Sequence, residues 1–265
     1  MTLQVTGVTA TDGDECLQAL PTRDRQLSLL SGFELRDQGR VVSVAPASQR
    51  FLAVLGLHER PLLRSYVGGT LWPDTAEARA SSCLRTAMWR TPSPGGVPIF
   101  TATTSHIVLD PQVRVDYREV VSWATDLVGP SVELTDRPRW SGAGDLDDEL
   151  LPGWYDEWIL VERESFRQLR LHALERLCER LAAEGRFAEA LRAGLAAVAS
   201  EPLRESAHRR VIAVHLQEGN IAEALRQYRR CAGILADELR LRPSPAMQSM
   251  VEPWLYGDEA VTPVY

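Results

Sequence analysis

One pattern limits the fold of this chain more than any other: a nine-residue string that returns at a fixed distance. Glu184-Gly185-Arg186-Phe187-Ala188-Glu189-Ala190-Leu191-Arg192 recurs as Glu218-Gly219-Asn220-Ile221-Ala222-Glu223-Ala224-Leu225-Arg226, with seven identities at an offset of 34 residues. That offset is the period of the tetratricopeptide (TPR) helical hairpin. Paired helices that cross closely need small residues at the crossing, and Ala190 and Ala224 supply them. Pro202 closes the first unit where a TPR usually carries proline. In the second unit Ala236 holds that place, so its helix is expected to run on toward Pro243. From Glu149 onward the chain reads as almost entirely helical.

The front half has a different grammar. Residues 1–26 lack periodicity and read as a mobile tail. Leu27 to Val44 reads as strands around the turn Asp37-Gln38-Gly39. At Ala47–His58 the period changes: Phe51, Leu52, Leu55 and His58 fall at helical spacing behind Pro46. A second helix is expected over Ser65–Leu71 with Ser65 as its N-cap. Trp72-Pro73-Asp74-Thr75 is a turn, with Trp72 in the core and Thr75 able to cap the next helix. That third helix, about Ala76–Arg90, turns Ala80, Leu84, Ala87 and Met88 to one face. Pro92, Pro94, Gly95 and Gly96 end it sharply. VPIFTATTSHIVLD then reads as a hairpin around a Thr103-Thr104-Ser105 tip. Strands, three helices and a terminal hairpin follow the order of a winged helix. Asp116–Val128 reads as an amphipathic helix carrying Val120, Val121, Trp123, Ala124 and Leu127, and residues 129–144 as a connector.

Composition narrows the function classes. The net charge of −7 argues against a nucleic-acid binder until its distribution is considered. Ala143–Glu162 holds seven acids and no base, whereas Ala78–Leu109 holds Arg79, Arg85, Arg90 and His106 and no acid. Every basic residue is arginine, which reads first as the codon bias of a GC-rich genome. No apolar run approaches the roughly 18 residues a membrane helix needs, and MTLQVTGVTATDGDE lacks the features of a secretion signal. The four cysteines show no CxxC pairing, which implies reduced thiols in a cytoplasmic protein. Cys83, Cys178 and Cys231 are expected as small buried hydrophobes on helical faces. HExxH, GxSxG, P-loop and GxGxxG patterns are absent, and His58, His172, His208 and His215 have no metal-ligand partners at suitable spacing. No enzyme, metal or cofactor is expected.

Several longer strings, in order, carry a resemblance: SQRFLAVLGLH, TLWPD, LRTAMWR, LDPQVRVD, LLPGWYDEWILVERE, EPLRESAHRRVIAVHLQEGN and ELRLRPSP. Through them, over roughly residues 27–252, the chain resembles the Streptomyces antibiotic regulatory protein family. Members join an OmpR-like winged helix to a bacterial transcriptional activator domain. The expected fold is therefore mainly α: an α+β winged-helix DNA-binding domain (27–115), an all-α TPR-like activator domain (116–252), and tails at 1–26 and 253–265. The resemblance implies activation of secondary-metabolite or other pathway genes from direct repeats near the −35 region. The partners it implies are double-stranded DNA, RNA polymerase holoenzyme and a second copy on tandem sites. Larger relatives continue into an ATPase or sensor domain, so this chain reads as a short, stand-alone form. In relatives the reading helix also runs on through further basic residues, whereas Thr91-Pro92-Ser93-Pro94 cuts it short here.

The chemistry expected of such a fold lies on the third helix and the wing. Arginine can bond guanine O6 and N7 in the major groove, so Arg85 and Arg90 are the base-reading or phosphate candidates. Ser82 and Thr86 suit either role, and Trp89 suits a sugar or a thymine methyl. Thr103, Thr104, Ser105 and His106 would make the wing contacts. Arg64 and Arg79 read as phosphate contacts or as plain surface residues. Trp154, Tyr155 and Trp158 read as anchors of the first activator helix, with a polymerase-facing patch as the other reading. Arg209-Arg210 and Arg229-Arg230 are surface charge or a contact for DNA or an acidic partner. Two rival readings of the whole chain stay open: a TPR-like adaptor whose degenerate winged helix only packs on its neighbour, and a regulator that represses by occupancy.

Overall fold

Alternation starts the fold. In the computed structural model, which describes residues 24–129 and 148–255, Arg25 and Leu27 point inward from strand β1 (Arg25–Ser28) while Gln26 and Ser28 are half-buried. The strand thus begins two residues inside the segment read as a tail, most of which lies outside the described residues. β1 pairs antiparallel with β2 (Glu34–Asp37), which pairs with β3 (Arg40–Val41). The turn between β2 and β3 places Gln38 and Gly39 at φ 50° and 75°, the paired positive angles of a tight hairpin.

Pro46 opens α1 (Pro46–Leu57), which buries Phe51, Leu52 and Leu55. Its Gly56 lies against β1: a Cβ there would meet Leu27 Cδ2 and Leu29 Cδ1 at 2.9 Å. After β4 (Leu62–Leu63) come α2 (Arg64–Leu71) and α3 (Glu77–Arg90). A hairpin follows, β5 (Phe100–Ala102) and β6 (His106–Leu109), with β4 on the outer side of β6.

Three expectations need correcting here, and one strand was not expected. α2 begins at Arg64 with Leu63 at its N-cap, so Ser65 lies inside the first turn and caps nothing. Ala76, not Thr75, is the N-cap of α3; the Thr75 hydroxyl instead donates to Trp72 O at 2.9 Å and closes the turn. Cys83 is half-exposed, while Cys178 and Cys231 are buried as expected. Val113–Val115, quoted above only as part of a junction string, is a strand, β7, pairing parallel with β1. Its alternation of buried Val113 and Val115 with exposed Arg114 was a period-two signal three residues long.

α4 (Asp116–Val128) buries Tyr117, Val120, Ala124 and Leu127 and leads toward the activator half. The connector expected at 129–144 lies outside the described residues beyond Gly129. α5 (Glu157–Ala183), α6 (Phe187–Ser200), α7 (Glu205–Gln217), α8 (Ile221–Leu239) and α9 (Pro245–Leu255) then stack in series. The repeated string forms the same turn twice. Gly185 and Gly219 take φ 74° and 82°, and the next residue's N–H reaches back five residues, Arg186 to Leu181 O and Asn220 to His215 O. Ala190 and Ala224 are fully buried at the helix crossings. Gly194 allows a still closer approach, since a Cβ would meet Val211 Cγ2 at 2.8 Å and Cys178 Sγ at 3.1 Å. α8 runs on to Leu239, where Arg240 in the left-handed region (φ 57°) stops it. Among the described residues no helix is long and apolar enough to cross a membrane.

The two halves share a core. Residues 148–151 lie along the loop after β1: Ser31 N–H donates to Glu149 O and Leu151 N–H to Leu29 O, both at 2.8 Å. The Asp116 carboxylate accepts from the N–H groups of Leu29, Leu30 and Tyr117, and burial still pushes its pKa up. Phe33 stacks on Trp154, and Tyr117 packs on Phe166 with ring centroids 5.3 Å apart. One continuous cluster of buried side chains runs from Leu27 to Val214. The chain is thus a mainly α protein in which a winged helix is fused to a TPR-like helical stack.

Candidate nucleic-acid interface

α3 is held rigidly from behind. Ala80, Leu84 and Ala87 are buried, and the hydroxyls of Ser48 and Thr91 both donate to Ala87 O, at 2.9 and 2.8 Å. Ser48 sits in the first turn of α1, so this pair fixes the C-terminal half of α3 to α1 and closes its end at Thr91. The opposite face carries Arg79, Ser82, Arg85, Thr86, Trp89 and Arg90, all exposed. Trp89 is 84% exposed, the most of any large hydrophobic side chain among the described residues. Arg85 donates to Ser81 Oγ, and Thr86 Oγ1 returns to Ser82 O.

The charges on this face differ from those elsewhere. Among the described residues no carboxylate lies within ion-pair reach of Arg79, Arg85 or Arg90, whereas Arg167, Arg186, Arg204 and Arg226 of the helical stack each face one. A cation without an internal partner retains its full interaction with an incoming anion, while a paired one must first give up its carboxylate.

The wing stands beside this helix. Thr103 N–H donates to His106 O, and Thr103 Oγ1 accepts from the N–H groups of Ser105 and His106, so the tip is a tight, self-satisfied turn. Ser105 Oγ lies 2.8 Å from His106 Nδ1. Thr103, Thr104, Ser105 and His106 are all exposed. Phe100 packs edge-on against Phe51, tying the base of the wing to α1. Arg64 links the wing to α3: it is half-buried, donates to Thr103 O and meets Met88 Sδ.

Arg25 was missed by sequence reasoning. It is only 2% exposed, pairs with Asp37, and donates to Pro94 O, Val97 O and Pro98 O, so it organises the loop from α3 to the wing. An arginine among the inward positions of an alternating strand was the available signal. Trp72 is half-buried against the core, as expected. Trp154 and Trp158 anchor the head of α5 in the same way, while Tyr155 is 81% exposed. Arg210 pairs with Glu179, and Arg229 and Arg230 are exposed.

Comparison with known proteins bears on the family. Residues 140–253 match the family described as the bacterial transcriptional activator domain. The regulatory protein AfsR of Streptomyces coelicolor is 26% identical over 247 residues, covering 85% of this chain and 24% of that protein. The chain is similar to bacterial transcription regulators that carry this domain. It spans about a quarter of the length of AfsR. Among solved structures, Mycobacterium tuberculosis EmbR, determined in complex with a low-affinity phosphopeptide, superposes with a TM-score of 0.61 at 18% identity. It covers 88% of this chain and 65% of that one. That likeness shows the fold. The match to an activator domain and the regulatory relative support a role in transcription regulation.

Proposed function

We propose that this protein is a sequence-specific transcriptional activator of the Streptomyces antibiotic regulatory protein type that inserts α3 into the major groove of double-stranded DNA. Arg85 and Arg90 read bases or grip phosphates, Ser82, Thr86 and Trp89 complete the base-facing surface, and Arg79 and Arg64 lie where flanking phosphates run. Thr103, Thr104, Ser105 and His106 lie over the neighbouring backbone or minor groove. The observation that carries this reading is the set of exposed arginines, Arg79, Arg85 and Arg90, that have no acid partner among the described residues and lie in a stretch free of acids from Ala78 to Leu109 in an otherwise acidic protein. The target is a direct repeat near the −35 region of genes for secondary metabolism, occupied by two copies. A direct repeat requires a head-to-tail contact between unlike surfaces, and the activator domain supplies large helical faces for that contact and for RNA polymerase holoenzyme.

A mobility-shift titration of the full chain on DNA from upstream of its own gene, against excess unrelated DNA, tests the proposal. Specific retention that weakens with salt, log K falling by about 0.9 per phosphate neutralised against log salt, supports it. Equal retention of all sequences, or none, would favour the adaptor reading, in which the clipped α3 only packs on its neighbours.

A further inference from the structure

Arg64, the first residue of α2, makes contacts that a plain phosphate-binding arginine would not need. Its backbone N–H donates to Ser105 O at 2.8 Å. Its Nη1 donates to Thr103 O at 3.1 Å, and its Nη2 meets Met88 Sδ at 3.6 Å. One residue therefore grips the wing tip at two carbonyls and, with the same guanidinium, touches the C-terminal half of α3. The planar fork makes this possible, because its donors point in fixed, divergent directions.

The tip has little else to hold it against α3. β5 ends at Ala102, and the last pair between β4 and β6 is Leu63 with His106, so Thr103, Thr104 and Ser105 project beyond the paired strands. The chain path from α3 to the wing passes through Gly95 and Gly96, both at positive φ. Arg25 secures that loop at Pro94, Val97 and Pro98, at the end of the wing remote from its tip.

We propose that Arg64 is a positioning residue: it latches the wing tip to α3 and so sets the spacing at which helix and wing engage DNA together. This rests on the reading of α3 and the wing as the DNA interface. Helix and wing contacts are realised in one complex only if their separation matches that of groove and backbone, and a loose wing loses its share through the entropy of being ordered on binding.

The test uses the full chain on its upstream DNA, comparing wild type, Arg64→Lys, Arg64→Ala, a wing-tip variant (Thr104→Ala with Ser105→Ala), and Arg64→Ala combined with the wing-tip variant. Affinity and the hydroxyl-radical footprint are read for each. Arg64→Ala is expected to weaken binding on the order of tenfold, the worth of one charged hydrogen bond. Protections on the wing side should disappear while those over α3 stay. Arg64→Lys, which keeps the charge but not the fork, should behave like Arg64→Ala. The combined variant should bind no more weakly than the wing-tip variant, because the latch acts only through the wing.

An Arg64→Lys chain with wild-type affinity and footprint, or additive losses in the combined variant, would overturn the latch in favour of a direct phosphate contact. Loss of the α3 protections together with the wing's would show a general structural role and also overturn it, as would a wing-tip variant that binds like wild type. Failure of the wild-type chain to bind any DNA specifically would remove the proposed function itself, and this inference with it.

Discussion

Arg50 on α1 donates to the carboxylate of Asp156 at the head of α5 and, through the same Nη2, to Leu71 O at the end of α2. A single guanidinium thus joins α1 and α2, both packed on α3, to the head of α5. Both side chains are about one-quarter to one-third exposed, so solvent screens the pair only in part. Arg50→Ala is expected to cost about 1–2 kcal/mol, and Asp156→Ala less, because Leu71 O keeps its donor in the second variant. Denaturant titrations of the two variants check the order; equal losses would show that the Leu71 contact contributes nothing.

The shared core predicts one cooperative transition. Tyr117 on α4 packs on Phe166 of α5, and the loop after β1 is hydrogen-bonded to residues 149–151, so neither half buries its apolar surface alone. Calorimetry should show a single peak with equal calorimetric and van't Hoff enthalpies. Phe166→Ala should lower stability by about 3–5 kcal/mol and move that whole peak. Two peaks, only one of them shifted, would mean the halves fold independently.

Much of this was legible in the sequence for a definable reason. The helical hairpins announce themselves because each repeat brings its own glycine, Gly185 and Gly219, to the one position that needs positive φ. The α3–wing order is likewise written in local chemistry, through Pro92, Pro94 and the Thr103–Ser105 tip. What escaped is non-local. β7 is three residues pairing with a strand 88 positions earlier (Arg25 with Val113). The clasp of Leu29–Ser31 by residues 149–151 joins segments with no shared pattern. Ser65 and Thr75 looked like caps because hydroxyls before a helical period usually are; here the chain enters α2 directly from β4, and Thr75 closes the preceding turn. At the site, residue types and exposure were readable, but the absence of acid partners around Arg79, Arg85 and Arg90 among the described residues and the grip of Arg64 on Thr103 O required the fold.

His208 predicts an acid limit to stability. It is fully buried, Nε2 donating to Pro202 O and Nδ1 accepting from Gln227 Nε2. Burial pushes its pKa down and the Arg230 charge adds to this, while the hydrogen bond to Pro202 and the Glu205 charge act the other way. The unfolded chain therefore takes up this proton at a higher pH than the folded one. Its contribution is present above the unfolded value of about 6.5 and is lost as pH falls through the lower folded value. A His208→Gln chain should show a flatter stability profile below pH about 6.5, measured by urea denaturation. A profile identical to wild type would place the acid sensitivity elsewhere.

The buried thiols should be inert. Burial pushes both Cys178 and Cys231 up to about 11, whereas Cys83 is half-exposed on α3. Since the thiolate is the reactive form, a Cys16→Ser chain should release one fast equivalent with a disulfide reagent near neutral pH and two more only on unfolding. Three fast equivalents would contradict the packing at α5–α6–α7 and α8.

The central claim is that α3 reads DNA through Arg85 and Arg90, and the most direct test is the affinity of an Arg85→Ala, Arg90→Ala double variant for the upstream DNA of the wild-type chain. Both side chains are exposed and make no ion pair among the described residues, so the unfolding midpoint should stay close to wild type. Each lost base contact costs about 1–3 kcal/mol, so specific binding should fall to the level of unrelated DNA. A folded double variant that retains wild-type preference for its own upstream DNA would contradict the account.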